Sequence, residues 1–246
     1  DRYYFNDYLF KIKNTNEILY SIRQFVRDKY LVKDYVRAKV GEQYNVPTLA
    51  IFNNYQDLKD YEFPENCCIK PTQASQAVIL RKNNEPININ ETEKWFELNY
   101  YKQTRERNYK YLKPKVIVEP LIFNSTNLMD YRIYCFNGKA KLICIDIGKF
   151  TGYQRIFYTT DWVKQDFSLK YPLYEGELEK PKNLDEMIMV AEKLSSELDF
   201  VRIDLYSDGE SCLVGEITNC HAAASQNFVP LSAEKKASKI IFGDIV

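Results

Sequence analysis

Apolar residues recur along this chain at two periods, one helical and one alternating. Ile18, Ile22, Val26, Tyr30, Val36 and Val40 fall roughly at helical spacing. Gly41 closes the run, so residues 15–40 are predicted helical. Leu49–Phe52 and Cys67–Lys70 read as short apolar strands, with 77–81 as the return strand of a hairpin with the latter. A helix rich in Trp95, Phe96, Tyr100 and Tyr101 is predicted from about Glu91 to Arg107, then a buried strand over Val116–Glu119. Tyr131–Phe136 and Lys139–Ile147 flank Asn137-Gly138, the strongest short hairpin signal in the sequence. Asn183-Leu184-Asp185-Glu186 has the form of a capping box. The helix it opens carries Leu184, Ile188, Ala191, Leu194 and Leu198 on one stripe. Hairpins interspersed with helices make the fold class α+β.

One predicted hairpin carries charge where apolar residues belong. Phe200-Val201-Arg202-Ile203-Asp204 leads through Ser207-Asp208-Gly209 into Val214-Gly215-Glu216-Ile217-Thr218-Asn219. Strand alternation puts Arg202 and Asp204 on one side, with Val201, Ile203 and Leu205 on the other. If 207–209 is a three-residue loop with Gly209 left-handed, Tyr206 pairs with Glu210 and Glu216 joins the Arg202/Asp204 face. A two-residue loop would send Glu216 to the opposite face. Two acids and an arginine on one face suit a Mg²⁺–phosphate site, since Mg²⁺ prefers hard oxygen ligands and a planar cation clamps phosphoryl oxygens. A surface ion-pair cluster is the competing reading.

Composition narrows the classes. The chain has 246 residues, enough for one large domain or two small lobes, and 34 basic residues balance 34 acidic ones. Nothing in that balance advertises nucleic acid or a membrane surface. Six cysteines without CxxC spacing and a single histidine, His221, argue against a Cys/His zinc site. Reduced thiols, no apolar run of transmembrane length and no signal-peptide pattern make the cytoplasm the expected compartment.

Two further residues end apolar strands with charge. Lys70 precedes the small-residue loop Pro71-Thr72-Gln73-Ala74-Ser75-Gln76. Burying it requires an anion nearby, unless it snorkels to solvent. Glu119, before Pro120-Leu121-Ile122, either reads an adenine edge together with the following backbone or pairs with a nearby lysine.

The order of these signals resembles the ATP-grasp superfamily, and specifically its TupA-like family, named for teichuronopeptide biosynthesis. The blocks that carry the resemblance are Asp28–Val36, Lys113–Glu119, Asp130–Lys139, Phe157-Tyr158 with Asp161-Trp162, Lys180–Met187, and Val201–Tyr206 through Gly215–Thr218. They cover roughly residues 28–230, and the first 27 match poorly. The resemblance implies an ATP-grasp fold of two α+β lobes with ATP held between antiparallel sheets. It divides the chain into an N-terminal helical extension over 1–27, an N-terminal lobe over 28–115 and a C-terminal lobe with the metal hairpin over 116–246. Lys29 and Lys70 would bind ATP phosphates beside Ser75. Glu119 with the backbone of Leu121 and Ile122 would hold adenine, and Asp130 the ribose hydroxyls. Asp204 and Glu216 would hold Mg²⁺. Arg202 would sit on the γ-phosphate and the developing acyl phosphate, and Arg132 on phosphate or the substrate carboxylate.

The implied activity is ATP-dependent joining of a carboxylate to an amine through an acyl phosphate. The implied substrates are a hexuronic acid of a bacterial surface polysaccharide and an amino acid or other amine. Acyl-phosphate chemistry needs no imidazole, so His221 is expected not to be catalytic. The chain departs from the pattern twice: 72–76 contains no glycine, and Thr218 stands where such enzymes place Asn, with Asn219 one further. Two other functions therefore compete, a catalytically weak nucleotide-binding module and a sugar phosphotransferase on the same scaffold.

Overall fold

A computed structural model describes residues 4–75, 77–122, 129–148 and 152–243. Strands β1 (Ala50–Phe52), β2 (Cys67–Pro71), β3 (Ile79–Arg81) and β4 (Val116–Pro120) form an antiparallel sheet in the order β1-β4-β2-β3. Strands β5 (Met129–Phe136), β6 (Lys139–Ile147) and β7 (Gln154–Thr159) follow, then the short β8 (Ser168–Leu169), β9 (Phe200–Ser207), β10 (Cys212–Thr218) and β11 (Phe228–Val229). The second sheet has the order β10-β9-β5-β6-β7, and β8 pairs with β11. Because β4 pairs with β1 and β2, the chain leaves the small sheet after Pro120. The strand expected to open the second lobe pairs in this sheet with β1 and β2.

Helices α1 (Phe5–Asn14), α2 (Ser21–Phe25), α3 (Val32–Lys39), α4 (Tyr55–Lys59), α5 (Glu93–Glu97), α6 (Tyr100–Thr104), α7 (Leu184–Ser195) and α8 (Ala233–Phe242) complete the framework. The run predicted helical over 15–40 is a 3-10 turn, then α2, then α3. It breaks at Asp28, whose Oδ1 accepts from the backbone N–H groups of Tyr30 and Leu31 at 2.8 and 3.0 Å and starts a new turn. The helix predicted from Glu91 to Arg107 also splits, with Asn99 capping α6 by accepting from the Lys102 N–H at 3.0 Å. Helix α7 starts where expected, but no capping box forms: Asn183 donates to Ser207 Oγ at 3.0 Å, and Glu186 accepts from the Tyr44 hydroxyl at 2.8 Å. The Asn137-Gly138 turn is as predicted, with Phe136 paired to Lys139 and both turn residues at positive φ, 48° and 71°.

Alternation divides the large sheet sharply. One face is apolar along its length: Ile133, Ile143, Ile145, Val201, Ile203, Leu205 and their neighbours pack under α7 and α3. The other face changes character two residues at a time. Phe200, Tyr134, Cys144 and Phe157 pack with α1 and α8 in a second core. Two positions further along the same strands stand Arg202, Arg132, Asp146 and Arg155. The first residues of the chain therefore help to form the core that backs the charged band. The small sheet has its own core, Cys67, Ile69, Val116 and Val118 against Leu58 and Trp95, which leaves Lys70 and Glu119 on its opposite face.

Candidate active site

Strands β9 and β10 bring Arg202, Asp204 and Glu216 together, by a route other than the predicted one. Ser207 pairs with Cys212, so the connection is the four-residue segment 208–211. Asp208 Oδ1 organises it, accepting from the N–H groups of Glu210 and Ser211 at 3.0 and 2.9 Å. Gly209 is left-handed as expected, at φ 94°. A loop of that length alone would carry Glu216 to the apolar face, but a bulge at Gly215 shifts the register and sets Glu216 opposite Asp204. The two departures cancel. Gly215 is needed for closeness: a Cβ there would lie 2.7 Å from the Tyr206 ring.

The charged groups form one connected network. Arg202 Nε and Nη2 each donate to an Asp204 carboxylate oxygen at 2.6 Å, a bidentate fork. Arg202 Nη2 also reaches Thr218 Oγ1 at 3.3 Å, and that hydroxyl donates to Glu216 Oε1 at 2.7 Å. Arg132 Nε lies 3.9 Å from Asp204, and its other nitrogens hold Asp130 at 3.0 Å and Asp146. Arg155 grips Asp146 with two bonds, at 2.6 and 3.2 Å. Burial raises the Asp204 carboxyl to about 6, opposed by Arg202. Burial would raise Glu216 too, but Arg27, Lys29 and Arg202 together outweigh it and hold that carboxyl well below its usual range.

Lys70 of β2, Lys33 of α3 and Lys29 just before α3 gather around one pocket beside this band. Lys70 and Lys33 take one Glu119 oxygen each, at 2.5 and 2.6 Å, so Glu119 realises the lysine-pairing alternative. Leu121 and Ile122 are half-buried just past the end of β4. Lys29 Nζ donates to the Ala74 carbonyl. Burial lowers its pKa to about 8 even though Glu216 opposes the change. Burial also disfavours the charge on Lys70, but Glu119 more than offsets this and raises its pKa. Lys29, Lys33, Lys70, Glu119, Val214 and Gly215 all border a narrow void between the small sheet, α3 and β10. The 72–75 loop is fixed to the 27–29 segment: Thr72 Oγ1 donates to Asp28 Oδ2 at 2.9 Å, and the Lys29 N–H to the Thr72 carbonyl at 3.1 Å.

Sequence reasoning missed several members of this network. Arg27 is the junction: its guanidinium bonds Glu216, Ser75 Oγ at 2.8 Å and the Tyr109 hydroxyl. Its position inside an apparently helical run hid it. Lys33 and Asp146 were legible in principle, since Asp146 ends an apolar strand in the same way as Glu119. His221 is buried behind Arg202, with Nδ1 accepting from Arg202 and Nε2 2.7 Å from Gln226 Oε1. Burial and the Arg202 charge push its pKa well below the ordinary histidine value, so the ring is neutral. Asn219 serves the framework, donating to the Arg23 carbonyl at 2.7 Å.

Among the described residues no group of three or more His, Cys, Asp or Glu could hold a metal. Asp204 and Glu216, opposed across paired strands, nevertheless fit Mg²⁺. That ion commonly takes one or two protein carboxylates and fills its remaining positions with phosphate oxygens and water.

Lysines from β2, α3 and the segment before it thus stand beside an Arg–Asp–Glu hairpin on β9 and β10. The chain belongs to the TupA-like ATP-grasp family, whose sequence profile matches residues 11–241. That match begins well before the Asp28 expected from the sequence. The structure is similar to D-alanine–D-alanine ligase from Bacillus anthracis, with 16% identity over 90% of this chain and 65% of that one, at a TM-score of 0.50. It is also similar to D-alanine–D-alanine ligase from Helicobacter pylori, with 17% identity over 82% and 53% of the two chains and a TM-score of 0.45. For the L-amino acid ligase from Bacillus licheniformis the figures are 14%, 82%, 44% and 0.47. The chain thus spans less than two thirds of the length of each of these structures. No curated protein sequence matches it. No helix among the described residues is long and apolar enough to cross a membrane.

Proposed function

We propose that this protein is an ATP-dependent carboxylate–amine ligase. The observation that carries the reading is the gathering of Lys29, Lys33 and Lys70 beside the β10 strand of the Arg202–Asp204–Glu216 hairpin, with Glu216 close enough to interact with Lys29 and Lys70. Such a site offers fixed cations for transferring phosphate and no activated nucleophile, which suits phosphoryl transfer by positioning and charge neutralisation.

Lys29 and Lys70 bind the ATP phosphates beside Ser75. Lys70 exchanges Glu119 for phosphate while Lys33 keeps Glu119 neutralised. Glu119 and the Leu121–Ile122 backbone form the adenine edge, with Asp130 at the ribose. Asp204 and Glu216 hold Mg²⁺, which when bound supplies charge neutralisation at phosphate oxygens. Arg202, released from its fork with Asp204, turns to the γ-phosphate, and Arg132 orients the acceptor carboxylate. An oxygen of that carboxylate attacks the γ-phosphorus and ADP leaves. The amine then attacks the acyl carbon, the C–O bond to phosphate breaks, and the amine proton leaves to water or a carboxylate. We assign the acid to a hexuronic acid of a surface polysaccharide and the amine to an amino acid or simple amine.

A glycine-free 72–75 loop and an Asp204 whose two oxygens are both held by Arg202 favour a second reading, a nucleotide-binding module without turnover. ADP release measured with uronic acids and amines, singly and paired, decides between them. The ligase reading expects stoichiometric ADP only with both present. Binding of Mg-ATP without ADP release under any pairing would support the module, and ADP release on a sugar hydroxyl without amine would support a phosphotransferase.

A further inference from the structure

The loop expected to cover the phosphates is not built to meet them with its backbone. Thr72, Gln73 and Ala74 are buried, each at most 2% exposed. The Thr72 N–H is committed to the Lys115 carbonyl at 2.9 Å, and the Gln73 side chain donates to the Trp95 carbonyl at 2.9 Å. No glycine in 72–75 allows a closer backbone approach. A cation from another segment nevertheless reaches the outer end of this loop. The Arg27 guanidinium donates through Nη2 to Ser75 Oγ at 2.8 Å and to the Tyr109 hydroxyl, and through Nη1 to Glu216. Ser75 Oγ and the Tyr109 hydroxyl lie 3.1 Å apart, which closes the three side chains into a ring of contacts.

Arg27 is only 6% exposed, yet it has donors to spare. A guanidinium carries five N–H groups. Ser75, Tyr109 and Glu216 take three; the Nε–H and the second Nη1–H meet no acceptor among the described residues. Glu216 is half engaged in the same way: Thr218 and Arg27 both donate to Oε1, and no donor among the described residues takes Oε2. Burial raises the nearby Glu106 carboxyl, and the Arg27 charge opposes that rise. Arg202 in turn holds both oxygens of Asp204. Each hairpin carboxylate is thus matched by an arginine without a metal. An anion entering beside Glu216 meets free guanidinium donors instead of bare carboxylate charge.

We propose that Arg27 is a phosphate-binding residue of the nucleotide site. Its spare N–H groups take the donor role that the buried, glycine-free 72–75 backbone cannot, and its pairing with Glu216 lets the phosphates bind before the metal. Phosphoryl oxygens offer the acceptor geometry that a planar guanidinium matches. The inference deepens the ligase reading, on which this site holds ATP.

The test is titration of the intact protein with ATP, in excess Mg²⁺ and in excess chelator. Wild type should bind ATP in chelator. Arg27→Met should lose about tenfold or more of that affinity, the scale of one charge-assisted hydrogen bond, and should lose less in Mg²⁺, which neutralises phosphate itself. Glu216→Gln and the double variant Arg27→Met, Glu216→Gln separate direct contact from charge masking. The double variant should bind metal-free ATP about tenfold or more weakly than Glu216→Gln does. This pair also carries the test if Arg27→Met alone, with Glu216 left unpaired, does not fold. The proposal is overturned if wild type does not bind ATP in chelator, if Arg27→Met binds as wild type does or loses equally with and without Mg²⁺, or if the double variant binds as tightly as Glu216→Gln. If the losses appear as expected yet no acid–amine pair releases ADP, the ligase reading falls and Arg27 stands as a nucleotide contact.

Discussion

The lysine pair contributed by β2 and α3 and the arginine set on the large sheet both neutralise buried carboxylates, in mechanically different ways. Lys33 and Lys70 share Glu119 as point charges on flexible stems, each through a single contact. Arg202 on Asp204 and Arg155 on Asp146 are planar forks, each making two bonds in a fixed plane. Exchange of partners is therefore easy for the lysines and costly for the arginine forks. On the ligase reading, the first suits a group that must release a carboxylate to grasp phosphate. Of the forks, Arg155 on Asp146 suits a frame that keeps its geometry, whereas Arg202 has to leave Asp204 to reach the γ-phosphate.

The sharpest way to break this contrast is Asp204→Asn. On the ligase reading it removes a Mg²⁺ carboxylate and leaves Arg202 without its fork, and ADP release should fall by three orders of magnitude or more, about 4 kcal/mol of transition-state stabilisation. Survival of turnover in that variant would remove the hairpin from the mechanism. Glu119→Gln acts on stability instead: two part-buried lysines lose their shared anion, and the denaturant midpoint should drop by the equivalent of about 3 kcal/mol. Lys70→Met should leave the fold intact, since Lys33 still neutralises Glu119, while Mg-ATP affinity weakens by about ten- to a hundredfold, 1.4–2.7 kcal/mol. Unchanged nucleotide affinity would show that Lys70 is structural.

pH offers a finer probe of the same side. Lys29 has a pKa of about 8 in the free protein, and anionic phosphates beside it would raise that value. A raised pKa in the complex means that binding is strongest below 8 and weakens as pH rises above it, by up to about tenfold per unit. Calorimetry in buffers of different ionisation heat should detect proton uptake on ATP binding near pH 9, and none near pH 6.5. The smallest expected effect is at His221. His221→Gln keeps an acceptor for Arg202 and should retain activity within a few-fold, whereas a hundredfold fall with the fold intact, about 3 kcal/mol, would place the imidazole in the mechanism.

Period-two patterning made much of this legible before any coordinates. Lys70, Glu119, Arg202 and Asp204 announce themselves as charges in apolar strands, and strand alternation fixes which of them share a face. What patterning could not read was set by single backbone events. Asp28 diverts two amides from a helix and splits the 15–40 run, which concealed Arg27 and Lys33. Asn183 and Glu186 satisfy their side chains through tertiary partners, so a motif with the right letters makes no box. The Glu216 orientation came out as expected only because an unforeseen loop length and an unforeseen bulge offset each other. Docking between the sheets brings Arg27, Ser75, Tyr109 and Glu216 together from four segments, and no local period encodes that.

The Gly215 bulge has a practical consequence for finding such sites in other chains. Because the outer loop and the Gly215 bulge decide the face of Glu216 together, the number of residues between the two hairpin carboxylates can differ by one according to whether a bulge is present. A search keyed to a fixed interval after an Arg-x-Asp strand would discard true counterparts of different loop length and admit false ones of the same length. The more faithful query is a small residue immediately preceding the second acid, with an aromatic two positions after the first to cover it, as Tyr206 covers Gly215 here.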